Sequence, residues 1–335
     1  MIVSETELSE ARLAAERHKL AGILATKNLD ECLRFPRYVQ IETVRVCNAR
    51  CPFCAVDRWD QSQPHMSDEL FEKIVEQLEP HKEWIRWVNM QKAGEVTLDT
   101  QAAERISRLK QAGIRHVIIA TNGALFDRAT ARNYLEAGLD EVMFSIDSID
   151  PEEYRRTRIG LDYHTVVNNI RDFLRLRNES WPHVRVRIRG LFFGDFQSPD
   201  ARSALVRYRN FWQPLLRKND RVHFQRPHDW GGQHRWGGRL GNFGNVYHPC
   251  VMPWSTLSIT AMGRVALCPQ DFNARLNLGD ANTQPLEEIW RSTALNRIRK
   301  LHAQGQRNLI PFCRGCVLYD REAAPETILS KEEKH

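Results

Sequence analysis

Between residues 38 and 225, short apolar or β-branched runs alternate with stretches whose apolar positions recur at helical spacing, the signature of parallel β/α units. The run YVQIETVRV is the first predicted strand, and SDELFEKIVEQL after it places Leu70, Ile74 and Leu78 on one helical face. WIRWVNM, VIIATNG, EVMFSID, VRVRIRGLFF and RVHF supply five further strands, with helices expected near 100–111 and 128–137. Six such units predict a partial barrel rather than a closed eight-unit one. Residues 226–249 break the pattern with Gly231, Gly232, Gly237, Gly238, Gly241 and Gly244, which reads as a flexible connection. Beyond it STLSITA and RVAL, joined through Met262-Gly263, read as a hairpin. A helix near 285–303 follows, with Leu286, Ile289, Trp290 and Leu295 on its apolar face. The predicted fold class is α/β: a partial (β/α)6 barrel followed by a small cysteine-rich domain with a β-hairpin and a helix.

A hydrophobic fraction of 42% in 335 residues is ample for sizeable cores and gives a prior of about two domains. The formal net charge of +6 is modest and comes from arginines scattered among acids, so nucleic acid is not demanded as a partner. Arg-rich stretches such as VRVRIRG and RKNDRVHFQR face either an anionic substrate or, more simply, solvent. The first 25 residues are charged and amphipathic without the apolar core of a signal peptide, and there is no uncharged apolar run of membrane-spanning length. A reducing, cytoplasmic compartment with no membrane partner is the expectation, and there closely spaced cysteines favour metal over disulfide.

The chain has eight cysteines. Cys47, Cys51 and Cys54 stand in CNARCPFC, spaced C-x3-C-x2-C, on the loop directly after the first predicted strand. In parallel β/α architectures that rim carries the active site. Three thiolates hold three corners of a cubic iron–sulfur cluster and leave one iron open to an external ligand. Cys250, Cys268 and the C-x2-C pair Cys313 and Cys316 are enough to close a second metal site. Zinc held by four cysteines fits that set, whereas the first set, which already implies cluster loading, favours a second iron–sulfur cluster.

These motifs carry a resemblance. CNARCPFC resembles the cluster motif of the radical S-adenosylmethionine (SAM) superfamily, and Cys250-x12-Gly263-x4-Cys268 followed by Cys313-x2-Cys316 resembles the Twitch domain, the shortened SPASM domain of one auxiliary cluster. The resemblance covers roughly residues 38–320. With the glycine break as the boundary, the expected division is an N-terminal helical segment over 1–37, a radical SAM barrel over 38–225, the Gly-rich connection over 226–249, an auxiliary iron–sulfur domain over 250–320 and a polar tail over 321–335. The resemblance implies a [4Fe-4S] cluster on Cys47, Cys51 and Cys54 whose open iron binds SAM, and an auxiliary [4Fe-4S] cluster on Cys250, Cys268, Cys313 and Cys316. A flavodoxin or ferredoxin is the implied type of electron donor.

For the SAM pocket the resemblance points to Phe53, which packs the adenine in similar enzymes. Ala93-Gly94-Glu95 resembles a Gly-Gly-Glu run that contacts the methionine amino group, with alanine for the first glycine and Val96 for the usual proline. Ser145 and Asp147 resemble positions reaching the ribose hydroxyls, and as alternate strand residues they share a face. Arg158 stands where a guanidinium meets the SAM carboxylate, with Arg155 a competitor by register. Thr121 and Asn122 end the third strand, where TNG reads as a turn.

Four cysteine ligands leave no open iron, so the auxiliary cluster is expected to accept or relay an electron. Similar Twitch enzymes include dehydrogenases of aminocyclitols and sugars, alongside epimerases and nucleoside- or peptide-modifying members. Peptide-modifying relatives commonly carry an N-terminal recognition module for which the 37 or so residues before the first strand leave little room, so a small polar metabolite is favoured. The expectation is hydrogen abstraction from a sugar, aminocyclitol or nucleoside-like substrate with oxidation, and decarboxylation or carbon–carbon bond formation as other outcomes. Candidate substrate contacts are His223, Arg226, His228, Asp229 and Trp230 after the sixth strand. Cys32, the eighth cysteine, reads as a buried small hydrophobe, or as a catalytic hydrogen donor if the reaction is an epimerisation. A non-catalytic iron–sulfur electron carrier would use the same cysteines without needing the polar strand ends.

Overall fold

A computed structural model describes residues 9–193, 198–225, 227–234 and 246–316. Six parallel strands form in the expected order: β1 (Tyr38–Ile41), β2 (Trp87–Asn89), β3 (Val117–Thr121), β4 (Glu141–Ser145), β5 (Arg185–Leu191) and β6 (Arg221–Gln225). Each hydrogen-bonds its sequence neighbours, so the connecting helices Asp68–Leu78, Ala102–Gln111, Arg128–Glu136, Tyr163–Ser180 and Pro199–Trp212 all serve as crossovers. Four of these helices start on side-chain caps that satisfy otherwise orphaned amides: Ser67, Asp127, Asp162 and Ser198.

Alternation along the strands sorts the side chains onto two faces. Val39, Ile41, Val88, Ile119, Val142, Phe144, Val186, Ile188, Val222 and Phe224 belong to one buried cluster with Leu70, Ile74, Ile106, Leu109, Leu135, Phe173 and Trp212 from the helices. Burial of each such side chain contributes about 1.5–3 kcal/mol. Phe126, Phe144 and Phe173 meet one another at ring centroid distances of 5.3–5.6 Å, tilted or edge-on. The residues between them, including Gln40, Asn89, Glu141, Ser145, Arg187, Arg189 and His223, take the opposite, concave face.

The hairpin forms as expected, from β7 (Thr256–Ile259) and β8 (Arg264–Ala266), turning at Gly263 with φ +84°. Its placement was not foreseen. β7 lies parallel against β1, pairing Tyr38 with Thr256 through Ile41 with Ile259, and β9 (Asn277–Asp280) adds outside β8. One nine-stranded sheet, ordered β6-β5-β4-β3-β2-β1-β7-β8-β9, therefore carries both cysteine sets. The single helix expected near 285–303 is two, Leu286–Trp290 and Thr293–Ala303, because Ser292 takes an extended conformation and its hydroxyl caps Leu295.

Cys32 is fully buried among Leu20, Leu24 and Trp254. Its carbonyl accepts the Trp290 indole N–H at 2.8 Å. It precedes the N-terminal end of β1, whereas the Cys47 loop follows the C-terminal end, which puts the hydrogen-donor role at odds with its position. Among the described residues no helix is long and apolar enough to cross a membrane.

Candidate active site

The loop after β1 is held by backbone fit. Gly94 lies so close to it that a Cβ there would stand 2.2 Å from the Val44 carbonyl oxygen, and Glu95 donates its backbone N–H to the Val46 carbonyl at 2.9 Å. On the other side the Arg50 N–H reaches the Ile159 carbonyl at 2.8 Å. Between these supports Cys47, Cys51 and Cys54 come together as free thiols. Burial, with neighbouring thiols adding to it, pushes Cys47 up to about 11 and Cys54 up to about 12. Burial also raises Cys51, against which the Arg158 guanidinium works.

The thiols sit in a donor-rich shell. The Ala49 N–H lies 3.4 Å from Cys47 Sγ, Arg158 Nη1 lies 3.9 Å from Cys51 Sγ, and the Val56 N–H bonds Cys54. Such donors stabilise sulfur that carries the charge of a loaded cluster. Among the described residues no group of three or more His, Cys, Asp or Glu side chains closes around a single ion. A cubic cluster needs something else, one thiolate at each of separate irons, and this donor set fits it.

The expected SAM residues gather at this rim. Phe53 packs at 5.6 Å from Phe193, with the Arg158 guanidinium 5.2 Å from its ring centre. Asp147 and Arg158 form a buried two-pronged ion pair, and Asp147 also accepts the Leu191 N–H at 2.9 Å. Ser145 Oγ accepts from Arg189 at 3.2 Å. Arg155 instead pairs with Glu152 at the surface, which removes it as a competitor.

Glu95 is almost fully buried, and its carboxylate accepts from Thr121 Oγ1 at 2.6 Å, the Asn122 N–H at 2.7 Å and Thr97 Oγ1 at 2.9 Å. Thr121 and Asn122 are thus more than a turn: Asn122 Nδ2 also reaches Asn48 in the cysteine loop at 2.7 Å. Their burial-bound polar side chains were the missed signal, masked by the turn-like glycine that follows.

The substrate candidates separate. Trp230 donates its indole N–H to the Phe53 carbonyl at 3.0 Å, and the His234 ring meets the Pro52 carbonyl at 2.9 Å, so the 228–234 segment lies on the cysteine loop. His228 packs edge-on against Trp230 at 4.5 Å, and Asp229 closes the turn through its carbonyl to the His234 N–H. His223 stands on the concave face of β6 beside Arg189. Arg226 lies outside the described residues.

The second thiol set is joined to the first by residues that spacing did not reveal. Lys92 Nζ donates to the Asp271 carbonyl at 2.8 Å, and Arg45 Nη2 to the Phe272 carbonyl and Asn273 Oδ1, both at 2.9 Å. Glu42 is their buried counter-charge, 3.4 Å from Arg45. Phe272 packs in one apolar cluster with Ala55, Val56 and Trp59, against which Cys47 and Cys54 also rest. Cys268 is raised by burial and then by Cys313 and Cys316, which places those three thiols together. The Cys250 N–H bonds His302 Nδ1 at 3.1 Å, and Arg307 links the His248 carbonyl to that of Cys316.

Two family models match: one described as the Radical SAM superfamily over residues 41–187, the other as an iron-sulfur cluster-binding domain, SPASM, over residues 250–317. A GTP 3′,8-cyclase of Limosilactobacillus fermentum is 32% identical over 151 residues, 43% of each chain. An S-adenosyl-L-methionine-dependent 2-deoxy-scyllo-inosamine dehydrogenase of Niallia circulans is 28% identical over 67 residues, 20% of this chain and 27% of that one. The match thus spans less than half the length of these curated relatives. The crystal structure of BtrN in complex with AdoMet and 2-DOIA superposes with a TM-score of 0.56 at 15% identity, covering 84% of this chain and 93% of that one, a likeness of fold.

Proposed function

The chain belongs to the radical SAM superfamily and carries a SPASM-type iron–sulfur domain, and on that premise we propose that it oxidises a small polar substrate, a sugar, aminocyclitol or nucleoside-like molecule. The chemistry supplied by SAM on a reduced [4Fe-4S] cluster is homolytic: methionine is released and a 5′-deoxyadenosyl radical takes one hydrogen atom from the substrate. A cluster held by Cys250, Cys268, Cys313 and Cys316 would supply the acceptor for the second electron of a two-electron oxidation, the substrate also losing a proton.

In this reading Cys47, Cys51 and Cys54 hold the first cluster, and Cys250, Cys268, Cys313 and Cys316 the second. Phe53, Gly94, Glu95, Ser145, Asp147 and Arg158 form the SAM pocket. Glu95 orders Thr121 and Asn122, Arg158 is held by Asp147 with one nitrogen turned to the Cys51 side, where it would meet the SAM carboxylate, and Trp230 covers the Phe53 loop against water. A flavodoxin or ferredoxin serves as electron donor.

The observation that carries the oxidative reading is the shared apolar cluster of Phe272 with Ala55, Val56 and Trp59, which packs the Cys268 loop directly on the Cys54 loop. Two thiol sets joined this closely suit passage of an electron from a reaction at one to a sink at the other. The test is anaerobic reconstitution followed by product analysis. About eight irons per chain are expected for two cubic clusters. Cys51→Ala should abolish 5′-deoxyadenosine formation, while Cys268→Ala should keep uncoupled SAM cleavage and lose oxidised product. Zinc with negligible iron, or wild-type SAM cleavage by Cys51→Ala, overturns the assignment.

A further inference from the structure

The Arg-rich stretches VRVRIRG and RKNDRVHFQR, which solvent exposure would explain most simply, meet on the concave face. On β5 the alternate residues Val186, Ile188 and Gly190 turn to the helices, so Arg185, Arg187 and Arg189 turn the other way. On β6, Arg221 pairs in register with Arg187 and His223 with Arg189. Four arginines and a histidine therefore share this face of two neighbouring strands, and the adjoining β4 answers with one carboxylate, Glu141. Glu141 is already engaged by Arg185, Arg187 and His116. Neighbouring like charges on adjacent strands are unfavourable, and the sheet keeps them side by side on its functional face.

Arg189 stands toward the C-terminal end of β5, the end at which the cysteine loop leaves β1. Its guanidinium donates to Ser145 Oγ at 3.2 Å and to Gln225 Oε1 at 3.5 Å, which holds it across β4 and β6. Two residues further along the same face, Leu191 binds Asp147, the partner of Arg158 beside Cys51. Two strand residues span roughly 7 Å, about the size of one sugar or cyclitol ring. Below it Arg187 keeps 34% of its side chain exposed. His223 is pushed down to about 3, first by burial and then by Arg189, Arg187 and Arg221, so its ring is neutral and carries one N–H donor.

We propose that the substrate carries an oxyanion, a phosphate or a carboxylate, that seats on Arg189, Arg187 and His223 and so presents the ring above it to the Cys51 side of the barrel. The inference rests on the reading of this rim as the active site and narrows its substrate class. Guanidinium groups match the geometry of both oxyanions, and the neutral His223 ring adds one N–H donor.

Inorganic phosphate and acetate are the probes, titrated into the reconstituted full chain with SAM present and chloride as the ionic-strength control. Melting temperature and calorimetric heat are the readouts. Phosphate or acetate should stabilise the wild type beyond chloride, and Arg189→Gln should weaken the effect by about tenfold or more, with Arg189→Lys intermediate. A response to phosphate alone assigns a phosphorylated substrate, and a response to acetate alone a carboxylated one. No stabilisation beyond chloride, or an undiminished response in both Arg189→Gln and Arg187→Gln, overturns the proposal. Failure of the oxidative reading shows separately, as absence of oxidised product in a protein that still binds the anion.

Discussion

Arg158 grips Asp147 through two hydrogen bonds, Nε to Oδ2 at 2.6 Å and Nη2 to Oδ1 at 2.8 Å, and turns its third nitrogen toward Cys51 Sγ. The pair joins the end of β4 to the cysteine loop in one rigid unit. Both side chains are nearly fully buried, and the arrangement holds Arg158 firmly in its charged form despite the cost of its burial.

Breaking that pair from one side strands a buried charge. Arg158→Met is expected to destabilise the metal-free chain by about 3–5 kcal/mol, and the double change Arg158→Met with Asp147→Leu by less, because no charge is then left unpaired. Denaturant unfolding measures both. A double variant less stable than the single one would show that the pair's attraction, rather than the stranded charge, dominates.

The parts of the fold that repeat locally were legible in the sequence. β1 through β6 follow from alternation and β-branched runs, and the thiol triad from its spacing, because each signal lies within a few residues. The junction was not, since β7 joins β1 across 218 positions, Tyr38 to Thr256, and nothing in STLSITA names its partner. Glu42, Arg45 and Lys92 escaped notice for the same reason. They are charged residues in a chain with many, and only the fold shows that they are buried together against Asp271 and Phe272. Thr121 and Asn122 were obscured differently: Gly123, at φ +81°, does form the turn, and the turn hid the side chains that Glu95 holds.

Lys92 places a buried cation close enough to Cys268 for their charges to interact. Lys92→Met removes a positive charge near the auxiliary site, and net charge around a cluster sets its potential. The midpoint potential of the auxiliary cluster is therefore expected to fall, with the first cluster less affected. Redox titration followed by electron paramagnetic resonance reads the two signals separately. An unchanged auxiliary midpoint would remove Lys92 from any role in tuning that cluster.

Gly94 is demanded by space alone. Its substitution to alanine drives a methyl group into the Val44 carbonyl, with Val46 oxygen also within 2.9 Å, and neither is a side chain that can rotate away. A cost of about 1–3 kcal/mol is expected, together with lower iron incorporation because the displaced backbone carries the Cys47 loop. Gly22→Ala is the control: nothing lies within 4 Å, and the position is helical, so it should be neutral or slightly stabilising. Thermal melts and iron content of the two variants decide it.

His302 gives the protein an acid-sensitive point beneath the second thiol set. Its ring is fully buried, accepts the Cys250 N–H on Nδ1, and is pushed down to about 3 by burial and by Arg307 and His248. The unfolded chain binds a proton at this residue below about 6.5, whereas the folded chain resists doing so until about 3. In that window the unfolded state holds more protons, so stability falls as pH falls from 6.5 toward 3 and is regained on return to neutrality. His302→Gln keeps an acceptor for the Cys250 N–H and removes the titration. Its unfolding free energy should therefore decline less steeply between pH 6.5 and 4 than that of the wild type, whatever the offset at pH 7. Denaturant melts across that range test it, and parallel slopes for the two proteins would mean that other groups govern the acid response.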